Sequence, residues 1–436
     1  MKKAAFYTLG CKVNQYDTEA MIRIFEDSGY EIVDFDKKAD VYVINTCTVT
    51  NLSDRKSRQM ISRARTANPE AIIAVVGCYA QTASEEVAKI PGVNLIIGTK
   101  DRSKIVEYIK EIESGRRTNI NTVDNIMKIH DFEELKIDSY KERTRAYIKI
   151  QEGCSQFCAY CIIPYARGPV RSREPEAVLN EVKKLAAAGF REVVITGIHV
   201  ASYGKDKGNI SLLDIIKKIH EVEGIDRIRL GSIEPTTVTE QFVDEISGMD
   251  KFCPHFHISL QSGCDETLKR MNRKYNTQDY RKSVELLRSR IPDVAITTDV
   301  MVGFPGETDE EFEITYRYLD EISFAKMHIF KYSRRKGTPA AVMKNQVDPK
   351  VKEERSKRLI ELSDRKAYEF NKRFVGRIMP VLFEKELKDE SKIYEGHTTN
   401  YIRVVCNGDN SFKGEILNIR MLEASKDHIK GEFAEY

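Results

Sequence analysis

No stretch of the 436 residues approaches the ~18 consecutive apolar side chains that a membrane span needs. No internal repeat or low-complexity tract stands out, which excludes solenoid and fibrous architectures. The chain is not a polycation either, because 70 basic and 67 acidic residues leave a formal charge of only +3. It also lacks the make-up of a disulfide scaffold: nine cysteines in a 436-residue chain are sparse, odd in number and locally clustered. That pattern points to metal ligation in a reducing cytosol. The start, Met1-Lys2-Lys3 leading to Gly10-Cys11, superficially resembles a lipoprotein export signal. Only six residues separate Lys3 from Gly10, and Tyr7 and Thr8 interrupt them with hydroxyls, so export is not expected.

A composition of 41% hydrophobic and 31% charged residues is that of a folded globular protein large enough for two or three domains. Charge is unevenly placed. Residues 331–373 hold 14 basic and 6 acidic side chains, net +8, so the remainder sums to −5. An acidic partner at one face is implied, with nucleic acid foremost.

Short β-rich runs at 4–9, 41–45, 71–76 and 93–97 alternate with helical patterns, which predicts an open parallel α/β domain over 1–114. A linker is expected over 115–141, where this rhythm is lost. A second series follows over 142–370. Strands are expected at 146–151, 193–197, 227–230, 255–260, 294–301 and 326–330, and helices between them at 174–188, 212–221 and 279–289. Six β/α units predict a partial β/α barrel with its active site at the carboxyl ends of the strands. A charged helix over 350–374 leads to a final unit, 371–436, whose β-rich runs and polar turns predict a small antiparallel β-barrel.

The strongest local signal is Gly153-Cys154-Ser155-Gln156-Phe157-Cys158-Ala159-Tyr160-Cys161, directly after the first barrel strand. Three thiols in eight residues, on a loop that must turn sharply, can converge on one metal centre. A structural zinc site would want a fourth ligand, and the nearest histidines are His130 and His199. Three thiolates suit an iron–sulfur cluster with one iron left open. This Cys-x3-Cys-x2-Cys spacing, with Tyr160 before the last cysteine, resembles the radical S-adenosylmethionine superfamily. The resemblance implies a cofactor chelated at the open iron and cleaved to a 5′-deoxyadenosyl radical.

Cys11, Cys47 and Cys78 are distant in sequence, but each follows an apolar run of the first domain. In a parallel sheet all three stand at one carboxyl edge, where such sheets place ligands. The bland alternative is three small buried hydrophobes. The flanking residues, Thr8-Leu9-Gly10-Cys11-Lys12-Val13-Asn14, Asn45-Thr46-Cys47-Thr48 and Val76-Gly77-Cys78-Tyr79-Ala80-Gln81, resemble the methylthiotransferases. There an N-terminal domain with a second cluster precedes a radical barrel and an RNA-binding TRAM barrel, here signalled by Gly396-His397-Thr398-Thr399-Asn400-Tyr401.

Gly-Cys-Lys-Val-Asn is similar to the branch acting on N6-threonylcarbamoyladenosine in tRNA; the isopentenyladenosine branch typically carries Gly-Cys-Gln-Met-Asn. The resemblance thus implies a tRNA-modifying transferase that inserts a methylthio group at C2 of the adenosine 3′ to the anticodon. Two [4Fe-4S] clusters are implied, one on Cys154, Cys158 and Cys161 and one, delivering sulfur, on Cys11, Cys47 and Cys78. S-adenosylmethionine, the tRNA anticodon stem-loop, an electron-donor protein and a sulfur donor complete the set, in the cytoplasm.

Residues ending barrel strands, Gly197, His199, Glu234, Gln261, Gly303 and Gly306, together with Tyr160, are similar to family segments that line the cofactor cavity. Arg334, Arg335 and Lys336 lie in a segment resembling the family's barrel-ending Tyr-Ser-x-Arg-x-Gly-Thr-Pro and are expected on the RNA face. Cys253, Cys264 and Cys406 match no cluster position. Alternatives are a methylthiotransferase for isopentenyladenosine or for a ribosomal protein, and a non-catalytic iron–sulfur sensor that binds RNA.

Overall fold

The structure is a computed structural model that describes residues 1–135, 137, 144–387 and 392–434. Its first part is a six-stranded sheet, ordered β2-β1-β3-β4-β5-β6. The strands are β1 (Lys3–Thr8), β2 (Glu31–Val33), β3 (Val41–Thr46), β4 (Ile72–Gly77), β5 (Val93–Ile97) and β6 (Ile120–Asn121). All neighbours run parallel. β3 and β4 are apolar on both faces because helices cover both sides. The segment read as a linker contributes β6 to the sheet edge and buries Leu135 and Ile137 in the next domain's core. A two-residue strand is too short to show a period, so it leaves no trace in the sequence. Residues 136 and 138–141 of that segment lie outside the described residues.

The central part contains β7 (Arg145–Glu152), β8 (Arg171–Ser172), β9 (Glu192–Gly197), β10 (Arg227–Leu230), β11 (His255–His257), β12 (Ala295–Val302) and β13 (Lys326–Lys331). They form two sheets, β10-β9-β7-β8 and β11-β12-β13, linked by parallel bridges Ile228 to Phe252 and Ile233 to Ile258. Six parallel strands, β7 and β9 to β13, thus make the expected partial barrel; β8 is a short antiparallel addition. Local sequence stops and starts its helices: capping boxes Ser211/Asp214, Asn276/Asp279 and Thr308/Glu311 open three, and Pro175 opens another.

Strand alternation sorts the barrel's two faces. Ala146, Ile148, Ile150, Ile228, Leu230, Phe256, Ile296 and Val300 join one apolar core under the helices. Their neighbours Tyr147, Lys149, Gln151, Arg227, Arg229, His255, His257, Thr297 and Asp299 face the other way, into a polar barrel interior.

A 24-residue helix, Pro349–Lys372, packs against β13 and leads to the C-terminal unit. That unit is a closed barrel, β14-β15-β16-β18-β17, of β14 (Ile378–Glu386), β15 (Ile393–Thr398), β16 (Arg403–Asn407), β17 (Ile416–Ala424) and β18 (Ile429–Phe433). The barrel is antiparallel as expected except where β16 and β18 close it in parallel.

Candidate cluster and cofactor site

Cys47 and Cys78 follow β3 and β4 without a gap, and Cys11 lies three residues past β1. Those strands are neighbours, with Thr8 opposite Asn45 and Thr46 opposite Gly77, so the three cysteines share one carboxyl edge. Two glycines make room. At Gly10 (φ +106°) a Cβ would stand 3.0 Å from Cys47 Sγ, and at Gly77 (φ +94°) it would meet Asn45 Oδ1 at 2.5 Å. Asn14 then ties the edge together, its amide donating to Leu9 O (2.7 Å) and Thr46 O (2.9 Å). Cys47 and Cys78 are buried and Cys11 is exposed. Burial pushes the Cys78 thiol up to about 12, with the charges of Cys47 and Cys11 adding to the rise.

The second cysteine trio lies on the loop leaving β7. Gly153 (φ +76°) is forced there, since a Cβ would sit 1.8 Å from Pro169 O. Ala159 N donates to Met271 O, and Asn272 Nδ2 to Phe157 O, both at 2.9 Å. Burial raises Cys154 to about 11 and Cys161 to about 12; Cys158 raises both further. Cys158 Sγ accepts from Arg273 Nη1 at 3.1 Å.

From Arg273 the polar chain continues to Glu234 (2.9 Å), which His199 Nε2 meets at 3.2 Å. His199 N in turn donates to Gln151 Oε1 (2.7 Å), whose amide holds Gly153 O (2.7 Å). Burial works to raise Glu234, but His199 and Arg273 outweigh it and leave its carboxyl lowered. His199 and Glu234 are thus joined to the cysteine loop, and Gly197 packs on Gln151, where a Cβ would come to 3.0 Å. Gln261, in left-handed backbone (φ +73°), accepts from Met301 N and so pins the segment following β11 to β12. Tyr160 packs beside Ala159, Met271 and Phe304. Gly303 lies against the connecting helix, where a Cβ would strike Lys352 Cγ at 2.3 Å, and Gly306 N bonds Asn345 O in the segment ahead of that helix.

Arg335 departs from expectation. Rather than facing RNA it is buried, donating to Thr48 Oγ1 (2.5 Å) and Asn51 Oδ1 (2.6 Å) and pairing with Asp54 (2.7 Å). It fastens the segment after Cys47 to the barrel, because Asp54 in that segment would otherwise be a desolvated carboxylate. Arg334 and Lys336 remain exposed.

Sequence reasoning missed Arg273 and a second arginine, Arg167. Six residues beyond Cys161, Arg167 leaves the barrel and donates through Nε to Cys78 Sγ at 3.1 Å. Its Nη1 pairs with Glu152 (2.6 Å) and Asp17 (3.1 Å), and Nη2 donates to Asn14 Oδ1. Arg102 pairs with Asp17, and Lys149 bonds both Asp17 (2.5 Å) and Glu152 (3.2 Å). All five charged side chains are at most 3% exposed. Burial would raise Asp17, yet Arg102, Lys149 and Arg167 hold it below the usual carboxylate range. No periodicity marks such residues, and only an arginine among small neighbours, Ala166-Arg167-Gly168, distinguishes this one.

Among the described residues, no three His, Cys, Asp or Glu side chains stand close enough to hold a single metal ion. A cubane takes one thiolate per iron. Each trio offers three thiols that feel one another's charge, which fits such a cluster with one iron open.

A model of the Radical SAM superfamily matches residues 148–319, and one described as Uncharacterized protein family UPF0004 matches residues 3–98. Threonylcarbamoyladenosine tRNA methylthiotransferase MtaB of Bacillus subtilis is 45% identical over 436 residues, 99% of this chain and 96% of that protein. The chain belongs to the radical S-adenosylmethionine tRNA methylthiotransferase family. The family's cofactors, S-adenosylmethionine and an iron–sulfur cluster, are therefore its own. The tRNA-2-methylthio-N(6)-dimethylallyladenosine synthase of Clostridium tetani, from the sister branch, is 35% identical over 99% of this chain and 96% of its own. Among solved structures, the radical S-adenosylmethionine methyltransferase TsrM of Kitasatospora setae has a TM-score of 0.59. It covers 78% of this chain and 77% of its own at 17% identity, a likeness of fold. Among the described residues, no helix is long and apolar enough to cross a membrane.

Proposed function

We propose that this enzyme converts N6-threonylcarbamoyladenosine beside the tRNA anticodon into its 2-methylthio derivative. Cys154, Cys158 and Cys161 hold the radical cluster, and Cys11, Cys47 and Cys78 hold a second cluster beside which sulfur is delivered. The branch assignment follows the higher identity to the threonylcarbamoyladenosine enzyme, 45% against 35% for the dimethylallyl one. When bound, the radical cluster and S-adenosylmethionine supply a 5′-deoxyadenosyl radical that abstracts hydrogen from the substrate.

The chain's own residues hold and shield that chemistry. Arg273 donates to Cys158 and is braced by Glu234; Arg167 donates to Cys78. Hydrogen bonds to a ligating sulfur tune its cluster and fix the orientation of the ligand. Arg167 is the observation that carries the two-site reading: one side chain spans from the helix after Cys161 to the sulfur of Cys78. Tyr160, Gln261 and the His199–Glu234 pair form the cofactor wall. Arg334 and Lys336 serve RNA, an electron-donor protein and a sulfur donor act in turn, and the setting is the cytoplasm.

Replacement of Cys11, Cys47 and Cys78 by Ala tests this reading. Sulfonium cleavage needs only the open-iron cluster and an electron, so the variant should bind about half the iron and still form 5′-deoxyadenosine. It should yield no methylthio nucleoside, since transfer requires the sulfur to stand beside the substrate when the radical forms. Replacing Cys154, Cys158 and Cys161 should abolish both products. Wild-type methylthiolation by the first variant would end the two-site assignment.

A further inference from the structure

The helix Lys12–Asp27 begins one residue past Cys11, and the Lys12 side chain turns into the polar barrel interior. Its ammonium lies 5.9 Å from the centre of the Tyr147 ring on β7 and within the field of Tyr401, Arg145, Arg229 and Glu192. Lys12 is accessible to water although protein surrounds it closely enough to desolvate it.

Around Lys12 the other cations have a carboxylate within reach, Arg227 sharing Glu192 with Arg229 at 3.7 Å. Glu192 pairs with Arg229 (2.8 Å), Glu384 with Arg145 (3.0 Å), and Asp299 with His257 (3.2 Å). Lys12 alone of these cations has no carboxylate at ion-pair distance among the described residues. A partly desolvated, uncompensated ammonium beside an aromatic ring is a receptor for an anion.

We propose that Lys12 is the specificity residue that receives the carboxylate of the N6-threonylcarbamoyl group, an inference that rests on the substrate reading above. The geometry suits the chemistry. C6, which bears the substituted N6, and C2 flank the same ring nitrogen of adenine, and Lys12 and Cys11 are consecutive. A base held through its N6 substituent on Lys12 therefore presents its C2 edge toward the site of Cys11. An apolar N6 substituent would leave the ammonium desolvated and unpaired, so the lysine rejects it as well as attracting the acid.

The test uses the reconstituted holoenzyme, without reductant, and synthetic anticodon stem-loops carrying threonylcarbamoyladenosine or its neutral methyl ester. The wild type should bind the acid roughly 30-fold or more tighter than the ester, the usual consequence of losing one partner of a desolvated pair. Lys12→Gln should lose affinity for the acid alone and bring the ratio near one. A general structural defect lowers both affinities and leaves the ratio intact. Should Lys12→Gln bind neither RNA, Lys12→Arg decides: a retained ratio supports the proposal and a collapsed one overturns it. An unchanged acid-to-ester ratio in Lys12→Gln also overturns it. Separately, a wild type that methylthiolates isopentenyladenosine RNA but not threonylcarbamoyladenosine RNA refutes the substrate reading itself.

Discussion

Single residues decide how the two cysteine sites are held. Arg167 satisfies Asp17, Glu152, Asn14 and Cys78 at once, all out of water. Arg167→Leu strands two buried carboxylates with one fewer cation, so it should cost about 3–5 kcal/mol in denaturant unfolding of the metal-free protein. Arg358, which pairs with Glu313 near the surface, is the contrast: Arg358→Leu should cost less than about 1 kcal/mol. A smaller loss for Arg167→Leu than for Arg358→Leu would contradict the role of the buried network. Backbone conformation sets a second constraint. Gly77→Ala pays for left-handed backbone and for a clash with Asn45 and Thr46, whereas Gly29 (φ +84°) has nothing within 4 Å of an added Cβ. The first substitution should therefore destabilise by clearly more than the ~1 kcal/mol expected of strain alone at the second.

At the scale of elements, strand ends were legible and their partners were not. Apolar runs closed by Gly-Cys or Thr-Cys placed Cys11, Cys47 and Cys78 correctly at the carboxyl edge, because a parallel sheet leaves little freedom in where its strands end. The six barrel strands and helices such as Pro175–Ala187 likewise follow from period and capping alone. β2, β6, β15 and β18 left too weak a signal: two are at most three residues long, and β15 and β18 carry Gly, His and charge in a barrel too small to demand alternation. Arg335 misled for another reason. A basic run reads as surface, yet a half-buried Asp54 supplied by a different element claimed one member of it.

The same inter-element ion pairing gives a pH response. Burial would raise Asp17 and Glu192, but their arginine and lysine partners outweigh it and leave both below their ordinary values of 3.8 and 4.5. The stability they contribute is therefore full above about pH 5 and is lost as pH falls through the lowered folded values. Asp17→Asn should be less stable at neutral pH and show a shallower acid limb, followed by circular dichroism from pH 5 to 2. An acid limb as steep as the wild type's would refute the assignment.

For the molecule as a whole, the net positive stretch at 331–373 is less available than its composition suggests. Asp309, Glu313 and Asp320, all outside the stretch, pair with Arg355, Arg358, Arg365 and Lys366. Arg334, Lys336, Lys344, Lys350, Lys357 and Lys372 are exposed with no ion pair among the described residues. Six phosphate contacts predict that affinity for the anticodon stem-loop falls about 10²–10³-fold between about 50 and 200 mM salt. Alanine at Arg334 and Lys336 should lower the slope of log affinity against log salt by roughly 1.5. Filter binding across that range would settle it, and flat binding would remove electrostatics from recognition. The C-terminal barrel is joined to the central part through an aromatic–arginine cluster. Its Tyr401 lies between Arg229 (4.6 Å), Arg145 (5.2 Å) and the rings of His255 and His397.

The buried network also sets an order of events during synthesis. Asp17 and Arg102 are made with the first sheet, whose last strand ends at Asn121. Lys149, Glu152 and Arg167 emerge only afterwards. At about 5–20 residues per second the ribosome needs roughly 2–9 s to reach Arg167. Over that interval the edge bearing Cys11, Cys47 and Cys78 is open, with Cys78 lacking its arginine. Until then Cys78 stands without the Arg167 donor that the finished protein gives it, so the first cysteine edge forms before its bracing does.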